Sequence, residues 1–360
     1  MSDLINGNFN VPSRYEIMNL VGRGSQGVIM SAFDTVTNEQ VAVKKLSRPF
    51  ANSLCAKRAY REFALLNLVN HQNIIRLLNA FTPDQNINEF SDIYLVLEIV
   101  GGNLLQLDFQ NLDNARLSYL IYQMFCGVNH LHKSGIMHRD LKPENIGITR
   151  QCKVKILDFG LARTNQQEST TFSEYVVARY YRAPEIILGA DYDENVDVWS
   201  LGCIIFQMVT QTILFRGKSH DDQWNKIIEI IGSPNIEFYQ LLSDFMKNYL
   251  IQKPQNNTRS WETILPNSNF FPVRENSIVE QIRDLLSKMI VIDPRERIRI
   301  RDAINHSFVN SWINLSEIDG PPSPSYNNFI EQSQFSVEEW KKIMFDQIKS
   351  YENQNQALSL

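Results

Sequence analysis

The stretch HRDLKPEN at residues 138–145 brings Asp140, Lys142 and Asn145 into six consecutive positions. Eighteen residues beyond Asp140 lies Asp158, in ILDFG, between an apolar run and a glycine. Asp140 can accept the proton of an incoming hydroxyl, and Lys142 can balance charge on a transferring phosphoryl group. Asn145 offers an amide oxygen and Asp158 a carboxylate, the oxygen ligands that Mg²⁺ takes where it bridges phosphate oxygens. Any one of these residues fits a solvated turn. The two strings, in this order and at this spacing, point to phosphoryl transfer.

Upstream, VGRGSQGVI places glycines at Gly22, Gly24 and Gly27. A dinucleotide-binding turn uses the same glycines but must open a helix. Here VIMSAF, a strand-like run, follows the third glycine, so the motif reads as the bend of a hairpin that phosphates can approach without Cβ interference. Lys44 in VAVKKL comes 17 residues after Gly27. On the inner face of a valine-rich strand its charge needs an anionic partner, and Glu62 on the next segment can supply it.

A third stretch, TTFSEYVVARYYRAPE at 170–185, sets Ser173 and Tyr175 one residue apart, ahead of Arg179 and Arg182. Phosphate on either hydroxyl would add about −1.5 to −2 charges, which arginines can clamp.

The elements that must hold these groups change character along the chain. YEIMNLVG, VIMSAF and VAVKKL read as short strands separated by glycine or by the polar turn DTVTNEQ. KRAYREFALLNLVN reads as a helix with Phe63, Leu66 and Val69 on one face, and DIYLVLEIV as a buried strand running into Gly101–Gly102. Thereafter the period is helical. NARLSYLIYQMFCGVNHLHKSG stops at Ser134–Gly135, and DVWSLGCIIFQMV is apolar nearly all round, as a fully buried helix would be. Residues 252–277 read as an Asn- and Pro-rich surface loop, PPSPS at 321–325 as a linker, and SVEEWKKIMFDQI as a helix opened by a Ser336/Glu339 capping box. This helix presents Trp340, Ile343, Met344 and Ile348 on one face.

With 360 residues, 43 % hydrophobic and 21 % charged, the chain can bury two substantial cores. Its 35 basic against 40 acidic residues, a net charge of −5, argue against dedicated nucleic-acid binding. Cys55, Cys126, Cys152 and Cys203 are scattered in apolar surroundings without a C-x-x-C pair, so reduced core thiols are expected. No signal peptide, myristoylation glycine or apolar run of 18 residues is read, so no membrane association is expected.

The set of glycine loop, strand lysine, HRDLKPEN, DFG and Ala183-Pro184-Glu185 resembles the protein kinases over about residues 14–310. Lys142 within LKPEN is similar to the Ser/Thr-specific class. RAYREF, VNHQNIIRLLN, DFGLART, YVVARYYRAPEIILG and ENVDVWSLGCI narrow the resemblance to the MAP kinases, nearest the stress-activated c-Jun N-terminal kinase branch. This resemblance implies an α+β bilobal kinase fold: a tail (1–13), a β-rich N-lobe (14–99), a hinge (98–103), a helical C-lobe (104–310) with an insert (252–277), and a C-terminal docking segment and helix (311–360).

It implies ATP and Mg²⁺ as the reaction's nucleotide and metal. ATP would be met by Val21, Gly22, Arg23, Gly24, Ser25, Gln26, Gly27, Val28, Ile29, Ala42, Lys44, Leu97 as gatekeeper, Glu98 and Val100 through their backbone, Asn103 and Leu157. Asn145 and Asp158 would hold the metal; Asp140, Lys142, Lys44 and Glu62 would form the catalytic set. Ser173 and Tyr175 would be the dual phosphorylation sites, with Arg61, Arg139 and Arg163 clamping the first phosphate and Arg179 and Arg182 the second. Asp197 would cap the catalytic-loop backbone and Arg297 would pair with Glu185. Arg116, Glu317 and Asp319 would serve a docking groove for basic peptides. Partners would be an upstream dual-specificity MAP kinase kinase, substrates such as transcription factors, and phosphatases and scaffolds. A monomer in cytoplasm and nucleus, with no direct nucleic-acid contact, completes the expectation.

Four positions depart from the family pattern. Ser173 stands where threonine is usual. Ala178 replaces a threonine whose hydroxyl would bond the catalytic aspartate and lysine, a loss of about 1.5–3 kcal/mol. Gly147 replaces the bulky floor of the adenine pocket, so weaker nucleotide packing is expected. Asn314 stands where the docking segment has an acid. Ala178 and Gly147 leave open a weakly active, pseudokinase-like scaffold as the alternative function. An NAD-dependent oxidoreductase, the other reading of the glycines, lacks the helix it needs.

Overall fold

The computed structural model describes residues 9–24, 27–164, 179–320, 326, 330 and 332–357. Ser25, Gln26, Ser173, Tyr175, Ala178 and the 321–325 linker lie outside the described residues, as does the side chain of Asp319. The longer helices used below are α1 (Ser53–Leu68), α2 (Asn114–Lys133), α3 (Asn195–Thr210), α4 (His220–Ile231), α5 (Asn276–Met289) and α6 (Val337–Ala357). The chain divides into two compact units: residues 1–101 with 158–161 and 323–360, and residues 102–157 with 162–322.

The first unit is built on a sheet in the order β1 (Tyr15–Gly24), β2 (Gly27–Asp34), β3 (Glu39–Leu46), β5 (Tyr94–Glu98), β4 (Leu77–Phe81). Every neighbouring pair is antiparallel. β1, β2, β3 and β5 form where the β-branched and aromatic runs predict them, β4 is not anticipated, and one face collects Tyr15, Ala32, Val41, Val43, Phe81, Tyr94 and Val96 into a buried cluster. The Phe81 and Tyr94 rings stack at 5.0 Å within it. Helix α1 starts one turn earlier than the periodicity suggests, because the Asn52 side chain accepts a hydrogen bond from the Cys55 amide and caps it.

Helix α6 belongs to this unit. The Ser336 amide donates to Glu339 and the Glu339 amide to Ser336 Oγ, the reciprocal cap that the sequence predicts. Trp340, Met344 and Ile348 are fully buried, and the Trp340 ring lies 5.2 Å from that of Tyr60 on α1. Two polar ties fix the helix further: Ser53 Oγ donates to the Phe335 carbonyl at 2.7 Å, and the Thr82 amide to Glu352 at 2.9 Å.

The second unit is mainly helical. Asp113 caps α2, Ser134 closes it, and Leu117, Leu120, Ile121, Met124, Phe125, Val128 and Leu131 are buried along its length. All but Gln207 of the residues in α3 are buried, as its uniform apolarity predicts. A three-stranded sheet, β6 (Gly102–Asn103), β8 (Ile146–Ile148) and β9 (Val154–Ile156), and the pair β7 (Ile136–Met137) and β10 (Arg163–Thr164) carry the catalytic motifs. Residues 252–277 are less loop-like than expected. They form a helical turn at Trp261–Ile264 and bury Leu265 and Phe270, apolar anchors too far apart to set a period. The cysteine expectation is corrected too: Cys126 and Cys203 are core thiols, but Cys55 is half-buried and Cys152 exposed. Cys152 sits at φ +57 in the turn between β8 and β9, a bend that local apolar composition does not reveal.

Candidate active site

Within the first unit, β2 and β3 position the glycine hairpin and Lys44. Gly27 cannot be anything larger, because a Cβ there would lie 2.2 Å from the Lys45 carbonyl oxygen. At Gly22 and Gly24 a Cβ would meet no described atom within 4 Å, which leaves their backbone open to a ligand. Lys44 pairs across the sheet with Ile29 and Leu95, and Ala42 with Leu97.

The Lys44 side chain is buried and donates to Glu62 on α1, the partner expected from the sequence. Burial pulls its ammonium down, but the Glu62 and Asp158 carboxylates outweigh that, and its pKa stands above the ordinary lysine value. Asp158 takes a left-handed φ of +66, and the Gly160 amide donates to its Oδ1 at 3.2 Å. Buried Phe159 anchors this bend. Arg61, 1 % exposed, donates to the Gly160 carbonyl. The Glu98 amide donates to the Arg76 carbonyl at 3.2 Å.

Within the second unit, Asp140 is the centre of a hydrogen-bonded set. Lys142 Nζ donates to its Oδ2 at 2.7 Å, and Asn145 Nδ2 donates to the same oxygen at 3.0 Å and to the Asp140 carbonyl at 2.9 Å. Both Asn145 bonds come from its nitrogen, so its oxygen remains as the acceptor. A free amide oxygen is the kind of ligand that a hard, oxygen-seeking cation takes. Burial pulls the Arg182 guanidinium down while the Asp140 carboxylate pulls it up, so Arg182 lies within electrostatic reach of the catalytic loop.

The loop's backbone is held from α3. Asp197 accepts from the amides of His138 and Arg139, both at 2.8 Å, as the resemblance implies. These bonds hold Arg139 at φ +67, an unfavourable conformation for a side chain of its size. Sequence reasoning did not find His132, whose Nε2 lies 3.0 Å from Asp197 Oδ2. Nor did it find the His138 ring, which meets the Leu157 carbonyl at 2.9 Å and the Asp140 amide at 3.3 Å. Their one signal is position, six residues apart around a helix end. Glu185 and Arg297 form the expected pair, with two bonds of 2.7 and 2.9 Å between fully buried groups.

Arg139 lies over the Tyr192 ring at 5.4 Å, Arg163 pairs with Met137 across β7 and β10, and Arg179 donates to the Lys218 carbonyl. Arg116 is largely exposed on the first turn of α2 beside Asp113. Asn314 caps the short helix Leu315–Asp319 through its side chain, the job an aspartate would also do. Glu317 lies in that helix's first turn.

The chain matches the protein kinase domain family over residues 15–309. It belongs to the protein kinases, and the fold is their bilobal α+β type. It is 48 % identical over 354 residues to the stress-activated protein kinase JNK of Drosophila melanogaster, covering 97 % of this chain and 94 % of the relative. Identity is 49 % over 344 residues to the stress-activated protein kinase jnk-1 of Caenorhabditis elegans, covering 95 % of this chain and 74 % of the relative. The chain is therefore a Ser/Thr protein kinase of the MAP kinase type, in the c-Jun N-terminal kinase branch. The pseudokinase-like alternative has no support from these comparisons.

Proposed function

We propose that this chain transfers the γ-phosphoryl group of ATP to serine or threonine hydroxyls followed by proline, after dual phosphorylation at Ser173 and Tyr175. Asp140 receives the hydroxyl proton and orients the nucleophile, held by Lys142 and Asn145. Lys142 also faces the charge of the moving phosphoryl group. Lys44, fixed by Glu62, meets the nucleotide phosphates, and the open backbone at Gly22 and Gly24 covers them. Asn145 and Asp158 would hold Mg²⁺, which would supply positive charge to the phosphates. Rate enhancement comes mainly from positioning and electrostatics.

The observation that carries this reading is the convergence of Lys142 and Asn145 on one oxygen of Asp140. An upstream dual-specificity kinase supplies the activating phosphates, and the arginines named above receive them. Arg116, Glu317 and Asp319 contribute to a docking groove for basic segments of substrates, phosphatases and scaffolds. The chain acts in cytoplasm and nucleus, which imaging of a fluorescent fusion would test.

The direct test is transfer of labelled phosphate from ATP to a Ser-Pro protein substrate. The chain is phosphorylated on Ser173 and Tyr175, verified by mass spectrometry, with Asp140→Asn as control. Transfer that needs both phosphates and Asp140 supports the reading; none across a Ser-Pro peptide library removes it.

A further inference from the structure

Helix α6 seals against the first unit through Trp340, Met344 and Ile348, all fully buried. Beside the end of that seal, a cleft of about 320 Å³ opens between α1 and α6, wholly within the first unit. On α1 it is lined by Phe63, Ala64 and Asn67, which the helical period sets on one stripe. On α6 it is lined by Gln347, Ser350 and Tyr351, spaced in the same way. Ala64 and Ser350 are the short side chains of these stripes, too small to fill the space between the helices.

The lining has a definite chemistry. None of its residues is charged, and the nearby Lys349 and Glu352 pair with each other at 2.9 Å. An ionised ligand would lose water there without meeting a counter-charge. The Phe63 and Tyr351 rings meet edge to face at 5.7 Å, giving the cleft aromatic surface that suits a flat ligand. Among the described residues, neither the Asn67 nor the Gln347 side chain makes a hydrogen bond. Each of these amides offers both a donor and an acceptor, one from each helix.

We infer that this cleft is a binding site for a small, uncharged, planar two-ring compound with an amide edge, such as a lactam. The rings take its faces, and Asn67 and Gln347 take its N–H and C=O. The size agrees: a cavity of about 150 Å³ accepts benzene, so about twice that volume takes about two fused rings. None of the residues assigned above to nucleotide, metal or proton transfer lines the cleft. The inference therefore stands apart from the ATP-binding reading. A bound ligand would bridge α1, the helix that carries Glu62, to α6.

Fluorine NMR titration of the full chain with a monofluorinated quinolinone, a two-ring lactam, tests this. A Kd of about 0.1–1 mM is expected for a ligand of about a dozen non-hydrogen atoms, and excess Mg-ATP should not displace it. Fluoronaphthalene, which lacks the amide edge, should bind about tenfold more weakly. Fluoronaphthoate, which carries a carboxylate, should show no binding. Ser350→Trp, at an exposed position, should fill the cleft and abolish quinolinone binding. Asn67→Leu/Gln347→Leu keeps the aromatic walls and should weaken the quinolinone about tenfold, to the level of fluoronaphthalene. This double variant carries the test alone if Ser350→Trp fails to melt cooperatively. No quinolinone binding at about 5 mM, displacement by Mg-ATP, equal binding of the naphthoate, or an unchanged Kd in either folded variant would overturn the inference.

Discussion

Lys142 Nζ donates to Asp140 Oδ2 at 2.7 Å, so the residues proposed as proton acceptor and phosphoryl-facing cation form one preassembled unit. Removing the cation should damage the chemical step more than nucleotide binding. Lys142→Met is expected to lower kcat by about 10²-fold, with KM for ATP changed by less than about threefold. Steady-state kinetics on the doubly phosphorylated chain separate the two; an effect confined to KM would contradict the role.

The same geometry limits what a threonine at Ala178 could add. Asp140 Oδ2 already takes two donors, from Lys142 and Asn145. Ala178→Thr should therefore raise single-turnover phosphate transfer only several-fold, below the roughly tenfold or more of one full charge-assisted bond. An unchanged rate would mean that the existing donors fully orient Asp140.

Glu185 and Arg297 are both completely buried and joined by two hydrogen bonds. Truncating one partner strands the other charge, so Glu185→Ala should destabilise the second unit by about 3–5 kcal/mol. Urea unfolding followed by Trp199 fluorescence is a suitable probe, because Arg297 lies 5.2 Å from that ring. A shift of the midpoint within experimental error would show that the pair contributes nothing.

Asp197 predicts a pH dependence. Burial pushes its carboxyl up, but the hydrogen bond from His132, the nearby histidine charges and the Arg139 amide outweigh this, leaving its pKa below the ordinary aspartate value. A depressed folded value means the ionised form stabilises the fold above the unfolded pKa of about 3.9, and that contribution drains away as pH falls through the folded value. Asp197→Asn should therefore lower the melting temperature at pH 7, with the gap to the unsubstituted chain narrowing below about pH 4. A gap that stayed constant down to pH 3 would contradict the assignment.

Much of this was readable in the chain. Lys44 with Glu62, Asp197 under the catalytic loop and Glu185 with Arg297 are pairs whose partners sit in short, distinctive strings. The β1–β3 hairpins and the near-total burial of α3 follow from period and composition alone. What escaped the sequence depends on register. Whether Gly147 is a hole or a covered position is decided by Leu157 ten residues away, through a diagonal across two strands. His132 bonds Asp197 65 residues later, which no local pattern encodes. The turn that exposes Cys152 depends on a single left-handed residue.

In the first unit, Ser53 at the start of α1 bonds Phe335 just ahead of α6, and Thr82 after β4 bonds Glu352 within it, spanning 282 and 270 residues. Contacts of such separation form late, because the intervening chain must be made and compacted before its ends can meet. During synthesis the β-rich unit therefore waits, with the surface of Tyr60 and its neighbours uncovered, while the whole helical unit emerges from the ribosome. Through that interval the α1 surface later covered by Trp340 stays bare apolar area.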